Sequence, residues 1–482
     1  MLVARLWLLL MKRGLYFSTK KNNYFYDDIT GNVGIVKGEL PENTIVYGDS
    51  NYVSPSVSKT DIEYHIHQQA SKILTLVVTE DCNFRCKYCV YSDNYTNTRA
   101  HEKKFMQSDI AFEAVDKYLN HFNSYNNTNP MILPKICFFG GEPLINFKLI
   151  KEVVQRAKQL YSGKILFLMT TNASLLTNDK IDFLMENDFY LTISLNGDKQ
   201  EHDRMRVYSN GRGTYDDIIK KLYLIREKNI DYYIKNLSII NVYDTGTDMQ
   251  NLRGFYKEGI LQNKLAKLSP VLDTGTNWYE QYSEEEKNKF KDCNRSIIEE
   301  CVESIKLNKE MDDVSRLVFM NTIFNIINRP INVPIEHIKY SFLPYTGTCF
   351  PGMKIVVDTK GLLHSCEKIN EKMPIGNVRS WVDARLIEKI ITKYNDTMGP
   401  KCVNCPVQRL CEVCYQHVLD ENGEFSLHLN NNICDNLIKR KQEAFSFLYG
   451  IMEDGISFND LSKSLTKKFE RQKEGELLEE IL

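Results

Sequence analysis

The chain has 482 residues, of which 43% are hydrophobic, and its formal net charge is −2. That length and composition indicate an enzyme of two or three domains with a sizeable core. The near-neutral charge argues against a nucleic acid as the main partner, because such partners usually leave a basic excess.

The extreme N-terminus, Met1 to Arg13, contains an apolar run of only about six residues followed by two basic ones, which is too short for a membrane span or an ordinary signal peptide. We therefore predict no membrane partner, and Met11 is an alternative start to Met1. Ten of the 13 cysteines fall in two tight groups with ligand-like spacing, which is unusual for disulfides. The sequence therefore predicts a reducing, cytoplasmic location.

The first predicted element is a β-hairpin over Asn23 to Gly38, with its turn at Thr30-Gly31-Asn32. From Lys72 to about Pro270, short β-branched or aromatic runs alternate with longer helical stretches, as in parallel βαβ units. The strand candidates are Lys72–Thr79, Pro134–Phe139, Lys164–Thr171, Phe189–Leu195, Tyr232–Val242 and Leu265–Leu272. The helix candidates are Gln107–Phe122, Phe147–Tyr161, Asn178–Glu186 and Tyr215–Lys228. These units are too few for a closed eight-stranded barrel, so we expect an α/β fold with a partial (β/α)6 barrel open on one side.

A charged helical stretch from Tyr282 to Arg329 leads to a cysteine-rich segment that begins near Pro344. Within that segment, Val356–Asp358 and Leu362–Ser365 flank a Lys-Gly turn and predict a second hairpin. The predicted domains are an N-terminal cap that could recognise a peptide (1–70), the barrel (71–280), a helical bridge (281–343), the cysteine-rich domain (344–437) and a helical tail (438–482).

The most informative motif is the run Cys82-x3-Cys86-x2-Cys89, directly after the first predicted barrel strand, with the aromatic Tyr88 before its last cysteine. The carboxyl ends of barrel strands are where such folds place their chemistry. Three thiolates at this spacing can hold three irons of a [4Fe–4S] cube and leave one iron open. A zinc site or three reduced core cysteines are the alternatives.

The motif closely resembles the signature of the radical S-adenosylmethionine (radical SAM) enzymes. That resemblance implies that the open iron binds SAM and that Cys82, Cys86 and Cys89 are the catalytic cluster ligands. It also implies contacts to SAM from segments at the ends of later strands. The predicted cofactor-binding residues are Tyr88, Gly140, Gly141, Glu142, Pro143, Asn172, Ser194, Asn196 and Arg206. By the resemblance, the Gly-Gly-Glu-Pro segment contacts the methionine amino group, Ser194 or Asn196 the ribose, and Arg206 the carboxylate through its guanidinium fork. Many relatives have Asp where Asn196 stands, and strand capping or a surface ion pair remains the structural alternative for Asn172 and Arg206.

Seven further cysteines form the second motif, and seven is an awkward number for zinc. They are Cys349, Cys366, Cys402, Cys405, Cys411, Cys414 and Cys434. The arrangement is similar to the SPASM domain of peptide-modifying radical SAM enzymes, which holds two auxiliary [4Fe–4S] clusters. By that similarity, Cys402, Cys405, Cys411 and Cys434 ligate one auxiliary cluster, and Cys349, Cys366 and Cys414 hold the other by three corners. The chain has two rather than three residues between Cys411 and Cys414, so the division of those two between the clusters stays open.

Together the two motifs predict a radical SAM maturase that uses SAM and three [4Fe–4S] clusters. The resemblance implies a small ribosomally made, cysteine-containing peptide as substrate and a flavodoxin- or ferredoxin-type electron donor. A corner without a protein ligand favours thioether formation, with carbon–carbon crosslinking and formylglycine formation in sulfatases as alternatives. Two other classes stay open: a non-catalytic iron–sulfur or zinc module, and an RNA-modifying radical SAM enzyme. Cys137, Cys293 and Cys301 lack ligand spacing and are interpreted as core residues.

Overall fold

The computed structural model describes residues 13–69, 73–96, 98–125, 133–334, 349–368, 371–426 and 431–472. Within those ranges the strands form one sheet of four strands and one of ten. None of the helices found there is long and apolar enough to cross a bilayer. The apolar run before Arg13 and the predicted domain start at Pro344 lie outside the described residues.

The four-stranded sheet forms an N-terminal cap with the strand order β3-β2-β1-β4. Its strands are β1 (Gly14–Ser18), β2 (Asn23–Asp27), β3 (Val33–Val36) and β4 (Ile45–Val46). Strands β2 and β3 pair antiparallel, with Tyr24 opposite Ile35, as the hairpin pattern predicted. Strand β1 was not predicted, because its five residues carry no turn signal ahead of them. The Phe445 ring lies 5.3 Å from the ring centre of Phe17 and 4.6 Å from that of Tyr26, so the cap packs on a C-terminal helix.

The ten-stranded sheet contains six parallel strands that follow one another in chain order. They are β5 (Ile73–Thr79), β6 (Lys135–Gly140), β7 (Leu166–Thr171), β8 (Tyr190–Ser194), β9 (Leu237–Tyr243) and β10 (Leu265–Pro270). Each pairs with its neighbour in parallel, and β10 ends the sheet. All six carboxyl ends therefore meet at one edge of the sheet, where the predicted site residues lie.

The predicted strand over Tyr232–Val242 is wrong in its first half. Residues Ile230–Asn236 form a short helix, and β9 begins only at Leu237. The side chain of Asn229 accepts a hydrogen bond from the Tyr232 backbone N–H and caps this helix. The aromatic run Tyr232-Tyr233 suggested a strand, but the cap and the burial of both rings against the barrel favour the helix.

The helices in the described ranges cover one face of the parallel sheet and build the bridge and the tail. Their bounds are Lys59–Gln69, Ser108–Tyr125, Phe147–Leu160, Asn178–Glu186, Lys199–Met205, Tyr215–Lys228, Ile230–Asn236, Met249–Lys257, Glu284–Lys306, Asp313–Ile327, Ala384–Cys402, Asn431–Glu453 and Phe458–Gln472. Alternate strand residues such as Ile136 and Phe138 pack under them in the core. The intervening residues, such as Cys137 and Phe139, lie on the concave face of the sheet.

The cysteine-rich segment continues the barrel sheet, which was not predicted. Its strands are β11 (Lys354–Val357), β12 (Leu362–His364), β13 (Gly376–Asn377) and β14 (Trp381–Val382). Strand β11 pairs in parallel with β5, placing Lys354 opposite Ile73, and β12 returns antiparallel to it. The shared sheet therefore joins the loop that carries Cys366 to the strand that leads to Cys82.

Candidate active site

The first cysteine motif begins at Cys82, three residues after β5 ends at Thr79. The backbone N–H of Phe84 lies 3.4 Å from Cys82 Sγ, and the N–H of Cys89 donates to the carbonyl of Cys86 at 3.1 Å. The three thiols are close enough that each raises the pKa of another electrostatically. The structure therefore gathers Cys82, Cys86 and Cys89 in one place.

Burial is the main influence on these thiols. It raises the pKa of all three, to about 11 for Cys89. A desolvated thiol becomes a thiolate when a cation takes the place of its proton, and a cluster of irons supplies that positive charge. The donor set and its burial thus fit the [4Fe–4S] cluster that the sequence predicts.

Gly140 and Gly141 allow β6 to end directly against the cysteine loop. A Cβ on Gly140 would lie 2.3 Å from the carbonyl oxygen of Thr79, and one on Gly141 would lie 2.2 Å from that of Asp81. The Gly140 φ of 159° is close to fully extended, so space rather than backbone strain excludes a side chain. The sequence predicted that this segment contacts SAM, which stays a prediction. In the structure, the atoms closest to Gly140 and Gly141 belong to the end of β5 and the start of the cysteine loop.

Glu142 and Asn172 tie two strand ends to the cysteine loop. The Glu142 carboxylate accepts hydrogen bonds from Thr171 Oγ1 at 2.6 Å, the Asn172 backbone N–H at 2.7 Å and the Leu144 backbone N–H at 3.1 Å. Asn172 Nδ2 in turn donates to Asn83 Oδ1 at 2.9 Å, inside the cysteine motif. This side-chain contact fits the structural role considered for Asn172, and its contact with SAM stays a prediction. Pro143 follows as the first residue of a short 3-10 helix, which Glu142 caps.

Arg206 reaches the cluster loop through backbone pairing. The Arg85 N–H donates to the Val207 carbonyl at 2.7 Å, and the Lys87 N–H donates to the Met205 carbonyl at 2.9 Å. This places the 94% buried Arg206 beside the thiols, and its charge lowers the pKa of Cys86. Its Nε is buried without a hydrogen-bond partner among the described residues. An orphaned guanidinium N–H fits a carboxylate such as that of SAM.

Tyr88, Asn196 and Arg206 form a hydrogen-bonded group. Arg206 Nη1 donates to Tyr88 Oη at 2.6 Å, and Asn196 Nδ2 lies 3.3 Å from the same oxygen. Asn196 is fully buried, and its Oδ1 accepts from the Val242 N–H at 3.1 Å. Burial raises the pKa of Tyr88 to about 12, so its hydroxyl stays protonated. Ser194 ends β8 on the concave side and is half-buried.

Residues 76–253 match the model of the radical SAM superfamily. This region contains the first cysteine loop and is a radical SAM domain. Cys82, Cys86, Cys89, the strand ends and Arg206 all lie within the matched span.

Known proteins extend the similarity beyond this radical SAM domain. An uncharacterised protein of Methanocaldococcus jannaschii is 35% identical over 34% of this chain and 51% of its own length. A cysteine-type anaerobic sulfatase-maturating enzyme of Clostridium perfringens is 23% identical over 74% of this chain and 92% of its own length. The chain spans about half the length of most of the curated relatives it matches.

One solved structure shares the fold. It is described as native anSMEcpe with bound AdoMet and Cp18Cys peptide, and it covers 79% of this chain and 98% of its own. The TM-score is 0.56 at 19% sequence identity. The likeness therefore shows the fold, over more of the chain than the radical SAM domain alone.

Beyond the radical SAM domain, four cysteines line one small cavity. They are Cys402, Cys405, Cys411 and Cys434. The remaining lining is mostly apolar, with Tyr47 of the cap and Tyr394 among it. Burial raises the pKa of all three of Cys402, Cys405 and Cys411, and the neighbouring thiols raise it further. The structure therefore brings together the four cysteines that the SPASM resemblance assigns to one cluster.

The other three cysteines of the segment are less closely gathered. Cys349 and Cys414 both raise the pKa of the Tyr415 hydroxyl, so they lie near the same ring, whereas Cys366 lies on the loop after β12. Burial raises the pKa of Cys414, but the hydrogen bond and charge of His417 outweigh it and lower the pKa overall. Among the described residues, no three cysteine, histidine or carboxylate groups are spaced to share one metal ion.

Sequence reasoning missed a group of polar residues between the two cysteine regions. Glu367, next to Cys366, forms a partly buried ion pair with Lys354. The backbone carbonyl of Glu367 also accepts a hydrogen bond from Tyr91 Oη at 2.8 Å, two residues after Cys89. No motif in the chain marks these residues, because only the shared sheet brings residues 91 and 367 together.

Proposed function

We propose that this protein is a radical SAM maturase that modifies a small, ribosomally made, cysteine-containing peptide, and that it forms thioether crosslinks. The match of residues 76–253 to the radical SAM superfamily supports the reaction class. The enzyme of Clostridium perfringens, aligned over 92% of its length, is a maturase of another protein and supports the substrate class. The bound cluster supplies the electron that cleaves SAM to methionine and a 5′-deoxyadenosyl radical.

The observation that carries the proposal is the cavity of four cysteines outside the radical SAM domain. A domain that only cleaved SAM would need one cluster. Three buried thiols with raised pKa values, together with the thiol of Cys434, surround an apolar cavity and are instead suited to a second, fully ligated cluster. We assign the third cluster to Cys349, Cys366 and Cys414, which makes three [4Fe–4S] clusters in all.

The chain's own residues bind and orient the reactants. Arg206 is placed to pair with the SAM carboxylate, and Tyr88 holds the guanidinium in position through its hydroxyl. Glu142 fixes the end of β7 through Thr171 and Asn172, so the sheet edge that faces SAM is rigid. Burial of the thiols keeps water from the cluster loop.

The assignment of Cys349, Cys366 and Cys414 to one cluster supports thioether formation. Such a cluster, when bound, would leave one position for the thiolate of the substrate, and the sulfur would be held near the carbon to be modified. One hydrogen atom would leave the carbon to form 5′-deoxyadenosine, and the thiol would lose its proton. Formation of the carbon–sulfur bond would release one electron, which the auxiliary cluster would accept, so the peptide would lose two hydrogen atoms in total.

Formylglycine formation is the second candidate, and the sulfatase-maturating relatives favour it. Three other functions stay open: carbon–carbon crosslinking, a non-catalytic iron–sulfur module and an RNA-modifying enzyme. The experiments below separate them. For electron supply we propose a flavodoxin- or ferredoxin-type donor.

The test is to express the chain with a cysteine-containing peptide encoded beside it and to compare wild type with Cys86→Ala. We expect a peptide lighter by two hydrogen atoms that resists thiol alkylation, and no such product with the variant. Protein reconstituted without oxygen should carry about twelve irons, four for each cluster. A product that still alkylates fully at its cysteine would contradict thioether formation, and fewer than four irons with bound zinc would contradict the whole proposal.

A further inference from the structure

Arg99 is a half-buried cation whose guanidinium lies against an aromatic ring. Its guanidinium carbon lies 3.9 Å from the ring centre of Tyr91. Its Nη1 and Nη2 are buried and have no hydrogen-bond partner within the part of the chain that the structure describes. Buried donors without acceptors cost free energy, so this fork requires an acceptor that the described residues do not supply.

The surroundings of Arg99 locate that acceptor at the Cys89 corner of the first cysteine loop. Tyr91, on which the guanidinium is stacked, follows Cys89 by two residues, and His101 Nε2 lies 3.5 Å from Cys89 Sγ. The rings of Tyr91 and His101 lie edge to face at 6.4 Å between their centres. Arg99 and His101 therefore lie near Cys89, and the charge of Arg99 lowers the pKa of the Cys89 thiol, as that of Arg206 does.

We propose that Arg99 is a positioning residue that donates to the sulfur atoms at the Cys89 corner of the SAM cluster and raises its reduction potential. Reduction adds one electron to an anionic cluster, so a nearby fixed cation stabilises the reduced form more than the oxidised one. Hydrogen bonds to cluster sulfurs are one of the ways in which proteins set these potentials. Stacking on Tyr91 fixes the fork before the cluster is assembled.

This inference rests on the proposed SAM cluster, and its main rival is that Arg99 binds an anionic group of the substrate. A substrate-binding arginine would leave the potential of the cluster unchanged in the absence of peptide. A redox measurement without peptide therefore separates the two roles.

The test is a redox titration of anaerobically reconstituted protein without peptide, followed by low-temperature EPR of the SAM-responsive signal. Arg99→Gln should reduce the ratio of reduced to oxidised cluster at a fixed potential about tenfold, a shift of about 59 mV to more negative values for one electron. The reduction potential of Arg99→Lys, which keeps the charge but loses the forked guanidinium, should lie between those of wild type and Arg99→Gln. Iron content and thermal unfolding, measured in parallel, show whether the variants fold.

Two controls accompany the titration. Arg295→Gln removes an exposed cation from the helical bridge and should leave the potential unchanged. Tyr91→Phe keeps the ring below the guanidinium while removing the hydroxyl bonded to Glu367, and should also leave it unchanged. A wild-type potential in Arg99→Gln with full iron content would overturn the inference alone, whereas a wild-type protein without a SAM-responsive signal would overturn the proposed function as well.

Discussion

At the scale of single residues, the site depends on a few side chains that hold one another. The contact between Arg206 Nη1 and Tyr88 Oη is a charge-assisted, partly buried hydrogen bond of 2.6 Å. Tyr88 is thus a positioning residue for Arg206. The sequence marked Tyr88 only as the aromatic position of the cysteine motif and did not predict this contact. Its partners, Asn196 and Arg206, lie more than 100 positions further along the chain.

Tyr88→Phe should weaken SAM binding about tenfold, because one hydrogen bond to a buried charge contributes on the order of 1.5–3 kcal/mol. The measurement is calorimetric titration of SAM into the reconstituted protein. Tyr95→Phe is a matched control in the same loop, since its hydroxyl bonds only backbone carbonyls of Tyr88 and Leu272 among the described residues. Equal SAM affinity in wild type and Tyr88→Phe would show that Arg206 does not need this support.

At the scale of elements, the ends of the parallel strands determine where the cysteine loop lies. Gly140 and Gly141 allow β6 to approach the backbone of Thr79 and Asp81. The backbone of the cysteine loop also pairs with Met205 and Val207, on either side of Arg206. The cysteine loop, the end of β6 and the Arg206 segment therefore meet in one small region.

Gly141→Ala should reduce cluster incorporation severely, because the added Cβ would lie 2.2 Å from the Asp81 carbonyl oxygen and 3.0 Å from the Cys82 Cβ. Overpacking of this kind costs on the order of 1–3 kcal/mol and must displace the loop. Gly254→Ala is the matched control, because nothing lies within 4 Å of its added Cβ on the helix Met249–Lys257. The measurement is iron per chain together with the unfolding temperature; full iron content in Gly141→Ala would contradict the steric account.

A second element-level feature is the buried carboxylate of Asp244, just after β9. It accepts hydrogen bonds from Arg204 at 2.7 Å and Trp278 Nε1 at 3.1 Å. Burial raises the pKa of Asp244, but the hydrogen bonds and the charge of Arg204 outweigh it, and the pKa lies below its usual value. The carboxylate therefore joins the helix before Arg206 to the end of the sheet.

Asp244→Asn should destabilise the protein by about 1.5–3 kcal/mol at pH 7, because it removes one of the two carboxylates, Asp244 and Glu201, that pair with Arg204. A lowered folded-state pKa gives stability that is fully present above the unfolded value of about 3.9 and is lost as the pH falls through the folded value. The difference between wild type and variant in urea unfolding should therefore shrink as the pH is lowered through 4. Asp292→Asn, an exposed change, is the control; a difference that stays constant with pH would contradict the ionised carboxylate.

At the scale of the whole molecule, the alternation of strands and helices predicted the parallel sheet, and the position of the cysteine run directly after the first predicted strand located the cysteine loop at its carboxyl edge. The sequence could not reveal the continuation of that sheet by β11, because the pairing of Lys354 with Ile73 joins residues that are far apart in the chain. Nor could it reveal Arg99, Tyr91 and Glu367, whose roles depend on that pairing. The predicted boundary at residue 437 falls inside the helix Asn431–Glu453, since Cys434 and the helix that packs on the cap belong to one element.

The central claim is that the Cys82–Cys89 loop holds the cluster that cleaves SAM. The most direct measurement is the release of 5′-deoxyadenosine from SAM, with a strong reductant and without peptide, by reconstituted wild type, Cys86→Ala and the control Cys293→Ala. We expect release by wild type and by Cys293→Ala and none by Cys86→Ala, with about four irons fewer in the Cys86 variant. Equal release of 5′-deoxyadenosine by wild type and Cys86→Ala would contradict the account.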